Sequence, residues 1–362
     1  MKKIRDSKIE LMRIMCMLFL VMHHFILHGD ILTNISSNTF IYNIFVIFYP
    51  IGKICYDIFI VISCYYMINT QFSGMRFINI WLEVFFYNII IDFFVIAIEG
   101  YKGYSSLRML LGGLFPMLGN SHGFASAYLF FLLILPFVKI VEEKLSKIQI
   151  YAFTFILLML QIGTWIINTL CGFDSRLRSE LFVFFIIYNI LYLYRKFYEN
   201  KLSHKTANYL LLFTFILFIF EYFIWRNYLI NANSLCSKLL IFINNQNSPL
   251  NIFISFTIVI YIMKFGKSFS NGIINKIASC TFGILLIHDH NYFRNILWNK
   301  LVPTYTVYLH NGIIYFIIIS IILFFIFIIV DMIRQKFITN KLIKLKPINS
   351  FAETLNKLLY IN

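Results

Sequence analysis

Charged side chains are scarce in this chain. Asp, Glu, Lys and Arg make up 13% of its 362 residues, whereas about 25% is usual for a soluble domain. Hydrophobic residues make up 60%, and the mean hydropathy is +0.78. This composition excludes an ordinary soluble domain and favours a protein that lies mostly within a lipid bilayer.

We expect neither a cleavable leader nor a soluble domain in this chain. The start MKKIRDSK is basic and precedes an apolar run, but that run is long and ends without a small-residue cleavage site. We interpret it as a retained first helix. The loops are short, and no internal repeat is visible, which weakly disfavours transporters built from paired halves.

Several familiar site motifs are missing. There is no H-E-x-x-H pattern, no G-x-S-x-G elbow, and GGLFPMLGN lacks the Lys–Ser/Thr ending of a phosphate loop. No pair among the six cysteines has metal-site spacing. We therefore predict neither a metal nor a permanently bound cofactor. Cys171 and Cys236 fall in loops that we place on the same outer side, so a disulfide between them stays open.

Apolar runs of helical length predict an all-α, polytopic membrane helix bundle with about ten transmembrane helices. We expect one transmembrane domain over 1–335 and a basic cytoplasmic tail over 336–362. The segment 99–122 is predicted to be a re-entrant or interfacial piece. The predicted spans are 8–28, 40–68, 76–98, 123–141, 149–169, 179–196, 206–229, 250–264, 275–297 and 311–333.

Basic residues test this helix count. The net charge is +15, and most of the 31 Lys and Arg residues fall in alternate loops, as the positive-inside rule requires. Both termini are therefore predicted to be cytoplasmic. Because the excess charge serves topology, the lipid bilayer is the expected partner and nucleic acid is not.

The first predicted helix carries two residues that a lipid-facing helix would not hold, Arg13 and His24. Their spacing is close to three helical turns, so both side chains lie on one face, separated by roughly 16 Å along the axis. Ionisable groups within the membrane are costly and usually mark a function. An imidazole suits proton transfer near neutral pH, and it could also carry an acyl group transiently.

Other polar residues are sparse within the spans. Lys53 and Asp57 are spaced i,i+4, so they could neutralise each other on one helix face. His288 lies in the ninth predicted span, and we expect it to face the same cavity as His24. The neighbouring residues His23 and His290 would face elsewhere on their helices. The remaining polar side chains in the spans include His28, Ser63, Glu83, Asp92, Glu221, Asp289 and Arg294.

Three segments together resemble the integral-membrane acyltransferase family 3 proteins, many of which O-acetylate surface polysaccharides. IELMRIMCMLFLVMHHF is similar to the family's opening helix, in which ten residues separate an Arg from a His, here Arg13 and His24. YDIFIVISCYYM is similar to a D-x-F-F-x-x-S-G-F/Y segment and matches Asp57 and Ser63. IASCTFGILLIHDH is similar to S-L-G-I-Y-L-I-H and matches His288.

The sequence differs from the family pattern at several positions. The usual Gly after the serine is Cys64, which would alter a close helix approach. The Trp-Phe pair frequent before the fourth helix is replaced by His122–Gly123–Phe124, and the Tyr before Leu-Ile-His is Leu285. Arg13, His24 and His288 all remain, so the resemblance still implies activity.

The resemblance implies transfer of an acetyl or other short acyl group from cytoplasmic acyl-CoA to a hydroxyl of a cell-surface glycan or its lipid-linked precursor. Arg13 would hold an anionic part of the donor, and His24 would act as general base or take the acyl group. His288 would be a second acid/base or acceptor-binding group, and Asp57 would orient a histidine.

Arg76, at the cytoplasmic start of the third helix, is a candidate ligand for the phosphates of CoA. Acetyl-CoA is thus the expected co-substrate, and a glycan or lipid-linked oligosaccharide is the expected acceptor. Proteins of polysaccharide assembly are expected as further partners, and the bacterial cytoplasmic membrane as the location.

Two other interpretations of these residues stay open. One is a proton-coupled transporter or flippase of a glycolipid or organic solute, since His, Asp and Arg within spans also form proton relays. The other is a non-catalytic membrane component of polysaccharide assembly, in which Arg13 and His24 would matter only for stability.

Overall fold

A computed structural model gives the architecture of the chain. It describes residues 5–118, 121–171, 180–231, 248–302, 304, 307 and 312–359, and these residues form helices joined by turns, with no β-strand among them. The helices are α1 Ser7–His28, α2 Ile31–Asn34, α3 Phe40–Ile68, α4 Gly74–Glu99, α5 Tyr104–Leu114, α6 Gly123–Lys144, α7 Lys147–Cys171, α8 Glu180–Phe197, α9 His204–Ile230, α10 Pro249–Phe265, α11 Gly272–Ala278, α12 Thr281–His288, α13 Arg294–Ile296, α14 Gly312–Arg334, α15 Asn340–Leu342 and α16 Lys346–Leu359.

The predicted fold class is confirmed. Seven helices in the described part of the chain are long and apolar enough to cross a membrane: α1, α3, α4, α6, the first 18 residues of α7, α9 and the helical stretch that begins with α14. The helix α10 and the stretch Gly272–His288 are apolar but shorter. A total of ten spans and the cytoplasmic location of both termini stay predictions.

The predicted ninth span, 275–297, is not one helix. It is divided into α11, α12 and α13, with turns after Ala278 and after His288. The first break is stabilised from outside the segment, because the Gln335 amide donates to the Ser279 carbonyl over 3.1 Å. At the second break Asp289 ends α12 in a non-helical conformation.

The chain forms two compact units. The first comprises the described residues within Met1–Asn69, Ser146–Ala278 and Tyr305–Ile317, and the second those within Thr70–Leu145, Ser279–Thr304 and Ile318–Asn362. The division into a domain over 1–335 and a tail over 336–362 stays a prediction. Within the segment 99–122 the described residues form the helix α5, and its re-entrant or interfacial position stays a prediction.

In the first unit α3 is the central helix, since α1, α8, α9 and α10 all pack against it. Gly52 of α3 permits the close approach of α1, because a Cβ there would lie 2.6 Å from Nδ1 of His23. The same ring nitrogen lies 3.0 Å from the Phe48 carbonyl oxygen. On α10, Ser255 donates to the Ile54 carbonyl over 2.9 Å. Polar and steric contacts thus fix the register of three helices.

In the second unit a buried cation is held between two carboxylates. Arg334 lies 2.8 Å from Glu83 and 2.8 Å from Asp331, and only 4% of its side chain is exposed. Tyr87 donates to Asp331 over 2.7 Å. Gly283 of α12 leaves room for Asp331, since a Cβ at that position would lie 2.5 Å from the carboxylate carbon.

The last described helix, α16, packs on the start of α4. The Asn356 side chain accepts from the Gly74 backbone N–H over 2.7 Å. A Cβ on Gly74 would lie 3.1 Å from the carbonyl carbon of Ala352. The C-terminal helix therefore satisfies one of the N–H groups that every helix start leaves without an intrahelical partner.

Four of the six cysteines are buried free thiols, and the other two concern the possible disulfide between Cys171 and Cys236. Cys16, Cys55, Cys64 and Cys280 are buried and unoxidised. The Cys171 side chain and the whole of Cys236 lie outside the described part of the structure, so their pairing stays open.

We expect Gly52→Ala to destabilise the protein and Gly163→Ala not to do so. In both variants the intrinsic helix propensity of alanine stabilises the helix by about 1 kcal/mol relative to glycine. Only Gly52 faces a ring, and overpacking of this kind costs about 1–3 kcal/mol. No described heavy atom lies within 4 Å of a Cβ on Gly163. The shift of the thermal unfolding midpoint in a single detergent measures the difference, and equal shifts would contradict the packing argument.

We expect Arg334→Met to destabilise the second unit strongly. Removing one partner of a buried ion pair costs about 3–5 kcal/mol, because it leaves the other charges uncompensated. The matched control is Lys102→Met, since Lys102 also contacts a carboxylate, Glu99, at 2.9 Å but is 58% exposed. Exposed pairs contribute about 0–1 kcal/mol. Thermal unfolding of both variants checks this, and similar midpoints would overturn it.

Candidate functional site

The helix α1 carries both residues that the sequence singles out first. It is continuous from Ser7 to His28, so Arg13 and His24 keep the spacing that puts them on one face. The imidazole of His24 is buried, with 9% of the residue exposed. The Arg13 side chain is 31% exposed and lies 3.4 Å from Glu10. Glu10 was not singled out from the sequence, although its i,i+3 spacing from Arg13 predicts such a pair.

Three imidazoles lie along the second half of α1. The ring centroids of His23 and His24 are 5.4 Å apart, and those of His24 and His28 are 5.2 Å apart. His23 faces α3, where it contacts the Phe48 carbonyl and Gly52. Its role is therefore helix packing, in agreement with the expectation that it faces away from the direction of His24.

The helix α3 carries the next group of predicted residues, and it packs directly on α1. Asp57 is fully buried in α3, and Ser63 is half-buried six residues later. Lys53 lies with its ammonium 4.9 Å from the centre of the Trp225 ring, an arrangement in which the ring face attracts the cation. The predicted neutralisation of Lys53 by Asp57 stays a prediction.

The cysteine that replaces the usual glycine after Ser63 is accommodated within the first unit. Cys64 is fully buried, and its thiol lies 3.9 Å from the Phe184 carbonyl of α8. A small thiol is thus used as a packing residue against the neighbouring helix.

His288 lies at the C-terminal end of α12, in the second unit, and it is fully buried. Its Nδ1 lies 2.6 Å from the Ile284 carbonyl oxygen, which can only accept a hydrogen bond. Nδ1 is therefore the protonated nitrogen of the neutral ring, and Nε2 carries the lone pair. The ring stacks at 17° to Phe327. This arrangement fixes the orientation of a group that can accept a proton.

The second unit holds three further buried groups near the ends of its helices: Asp92, His122 and His290. Nε2 of His290 lies 3.6 Å from Oδ1 of Asp92, and the rings of His122 and His290 are 4.9 Å apart in an edge-to-face arrangement. Sequence reasoning interpreted His122 only as a departure from a family pattern. A histidine immediately before a predicted apolar helix was the signal that could have identified it.

Arg76 is exposed in the first turn of α4. It is close enough to Lys139 of α6 for the two charges to interact. The exposed cation of Arg76 can therefore approach a phosphate in solution.

The chain belongs to the acyltransferase-domain family, whose model matches residues 6–332, nearly the whole length. No curated protein sequence and no solved structure matches the chain. Membership agrees with the resemblance drawn from the residues and defines a multi-pass membrane protein with acyltransferase activity.

Proposed function

We propose that the protein is a membrane O-acyltransferase of the bacterial cytoplasmic membrane. It transfers an acetyl or other short acyl group from cytoplasmic acyl-CoA to a hydroxyl of a cell-surface glycan or its lipid-linked precursor. One observation carries the proposal: a buried imidazole, His24, lies on the same helix face as Arg13 in a chain of an acyltransferase family.

The buried imidazole can perform the proton transfer that ester formation requires. The acceptor hydroxyl loses its proton to His24 as its oxygen attacks the thioester carbonyl. The C–O bond forms, the C–S bond breaks, and the CoA thiolate takes the proton from the imidazolium. In the alternative route the imidazole first takes the acyl group itself and then passes it to the hydroxyl.

The other candidate residues would serve binding and orientation. Arg13 would contact an anionic part of the donor, and its partial exposure leaves its guanidinium accessible. Asp57, buried in the helix packed against α1, would orient a histidine. Ser63 would take part in substrate binding, and His288, with Nε2 as the proton acceptor, would be an acid/base or acceptor-binding group.

We expect His24→Ala and His24→Gln to abolish acyl transfer while the protein still folds. Loss of a general base typically lowers the rate by about 10²–10⁴-fold. Mass spectrometry of surface glycans from deletion and complemented strains checks this, since acylated sugars gain the mass of the acyl group. The control is His204→Ala, because His204 is exposed at the start of α9. Retained glycan acylation in a folded His24 variant would overturn the assignment.

The same variants separate catalysis from a structural role. In a non-catalytic component, substitutions at His24 and Arg13 would act only through stability. Acylation would then fall in step with the unfolding midpoint. A variant with a normal midpoint and no acyl transfer supports the enzyme.

We expect Arg76→Gln to weaken binding of acyl-CoA. Loss of one exposed contact to a phosphate should raise KM for the donor about three- to tenfold, which corresponds to about 0.6–1.4 kcal/mol, with kcat nearly unchanged. Lys102→Gln is the matched control, since this exposed cation lies just beyond the opposite end of α4. Steady-state kinetics with purified protein measure this KM. An unchanged KM for acyl-CoA would show that Arg76 does not bind the donor.

A second candidate function is a proton-coupled transporter or flippase. Two fully buried carboxylates of the first unit, Asp57 and Glu221, favour it, because buried acids within spans often belong to proton relays. Proteoliposomes distinguish the two functions. Gradient-dependent flux without acyl-CoA turnover would support transport and overturn acyl transfer.

A further inference from the structure

The first unit contains a pocket to which the proposed acyl transfer assigns no role. It lies between α9 and α10, and residues of the turn after α8 form its edge. Its volume is about 300 Å³, at the lower end of the range of about 300–1,000 Å³ that small-molecule sites occupy. We call it the Tyr194 pocket. The lining residues that decide its chemistry are Tyr194, Tyr198, Lys201, Ala207, Phe256 and Ile260.

The edge and the interior of the Tyr194 pocket differ in polarity. The edge carries Lys201, which is exposed, and Tyr198, which is 42% exposed. The Lys201 ammonium lies 5.9 Å from the centre of the Tyr198 ring, so an accessible cation stands beside an aromatic face. The interior includes the buried apolar side chains of Ala207 and Ile260. A ligand that suits both parts combines an anionic group with an apolar chain.

A buried hydroxyl in the wall of the pocket has no partner. Tyr194 is 8% exposed, and its ring packs edge-to-face on Phe256 with the centroids 5.5 Å apart. The Tyr194 hydroxyl is buried and makes no hydrogen bond within the part of the chain that the structure describes. Because a buried donor without a partner is costly, this hydroxyl calls for an acceptor oxygen on a ligand.

The threonines that line the pocket already have hydrogen-bond partners. Thr257 donates to the Phe253 carbonyl over 3.0 Å, and the hydroxyls of Thr206 and Ser203 lie 2.9 Å apart. A nucleobase would therefore find few partners for its ring nitrogens in this wall, and burying them unpaired is costly. A hydrocarbon chain needs no such partners, so the interior favours a lipid over a nucleotide.

The chain around the edge of the pocket is positively charged. The segment 195–205 contains four Lys and Arg residues and one acid, Glu199. That carboxylate lies 3.4 Å from Arg195 and accepts from the Tyr65 hydroxyl over 2.7 Å, so Lys201 is not needed to neutralise it. The predicted topology puts this turn on the cytoplasmic side, where anionic lipids attract basic segments.

We propose that the Tyr194 pocket binds one anionic phospholipid of the phosphatidylglycerol type from the surrounding leaflet. One acyl chain lies between α9 and α10, the phosphate contacts Lys201, and an ester carbonyl oxygen accepts from the Tyr194 hydroxyl. Basic pockets between transmembrane helices are suited to anionic lipid headgroups in this way. Because the bound chain fills the space between two packed helices, the lipid stabilises the first unit.

The test uses delipidated full-length protein in detergent, with bound lipids counted by native mass spectrometry. Phosphatidylglycerol and phosphatidylcholine with identical acyl chains are titrated separately. We expect the first phosphatidylglycerol to bind about tenfold more tightly than phosphatidylcholine, because only its headgroup carries a net negative charge for the basic edge. Phosphatidylglycerol should also give the larger rise in the unfolding midpoint. Equal affinities for the two lipids would overturn the proposal, and this result needs no variant.

The variants locate the lipid. We expect Lys201→Gln to weaken binding of phosphatidylglycerol about three- to tenfold, and Tyr194→Phe to weaken it about twofold to tenfold. The matched controls are Lys205→Gln and Tyr209→Phe, because Lys205 and Tyr209 are exposed on α9 and do not line the pocket. Both controls should bind as the wild type does. Equal losses in Lys201→Gln and Lys205→Gln would show general charge attraction and overturn the assigned site.

Competitors distinguish the lipid from other anionic ligands. Phosphatidylglycerol that stays bound in excess CoA supports the proposal, whereas its displacement by CoA would reassign the pocket to a nucleotide. Tighter binding of a polyprenyl phosphate than of phosphatidylglycerol would reassign it to a lipid-linked acceptor. None of these measurements requires acyl transfer, so the lipid site and the proposed enzymatic activity are tested separately.

Discussion

The close contact between the His23 ring and Gly52 is the constraint on which the arrangement of the first unit depends. It sets how near α1 comes to α3 and which face of α1 is turned towards it. His24, one residue further along, is directed away from that contact by the helical turn of 100° per residue. A packing histidine thus determines the orientation of the candidate catalytic histidine. Since α3 also packs against α8, α9 and α10, the same contact links the candidate site to the whole unit.

Hydrophobic periodicity and loop charge predicted the all-α membrane class because both follow from local sequence. The observed α1 and α3 begin and end within one residue of their predicted bounds. The segment 275–297 was harder to predict. Its first break is stabilised by a hydrogen bond from Gln335 to Ser279, and that donor lies far along the chain. Periodicity cannot reveal a helix break that a distant side chain stabilises.

The candidate site residues also differ in how far the sequence could predict which of them lie together. Arg13 and His24 could be recognised because eleven residues of a single helix fix their relation. The contacts among Asp92, His122 and His290 could not, since these residues lie on three elements that only the tertiary fold brings together. The expectation of neither a metal nor a permanently bound cofactor stays a prediction.

The contact between Asn356 and Gly74 has a consequence for how the chain matures. The two residues are 282 positions apart, so the start of α4 receives its hydrogen-bond partner only after the chain has been synthesised as far as Asn356. Until then one of the four exposed N–H groups at the start of α4 depends on water or lipid headgroups. The start of α4 is therefore completed only when α16 packs against it, and not when α4 itself forms.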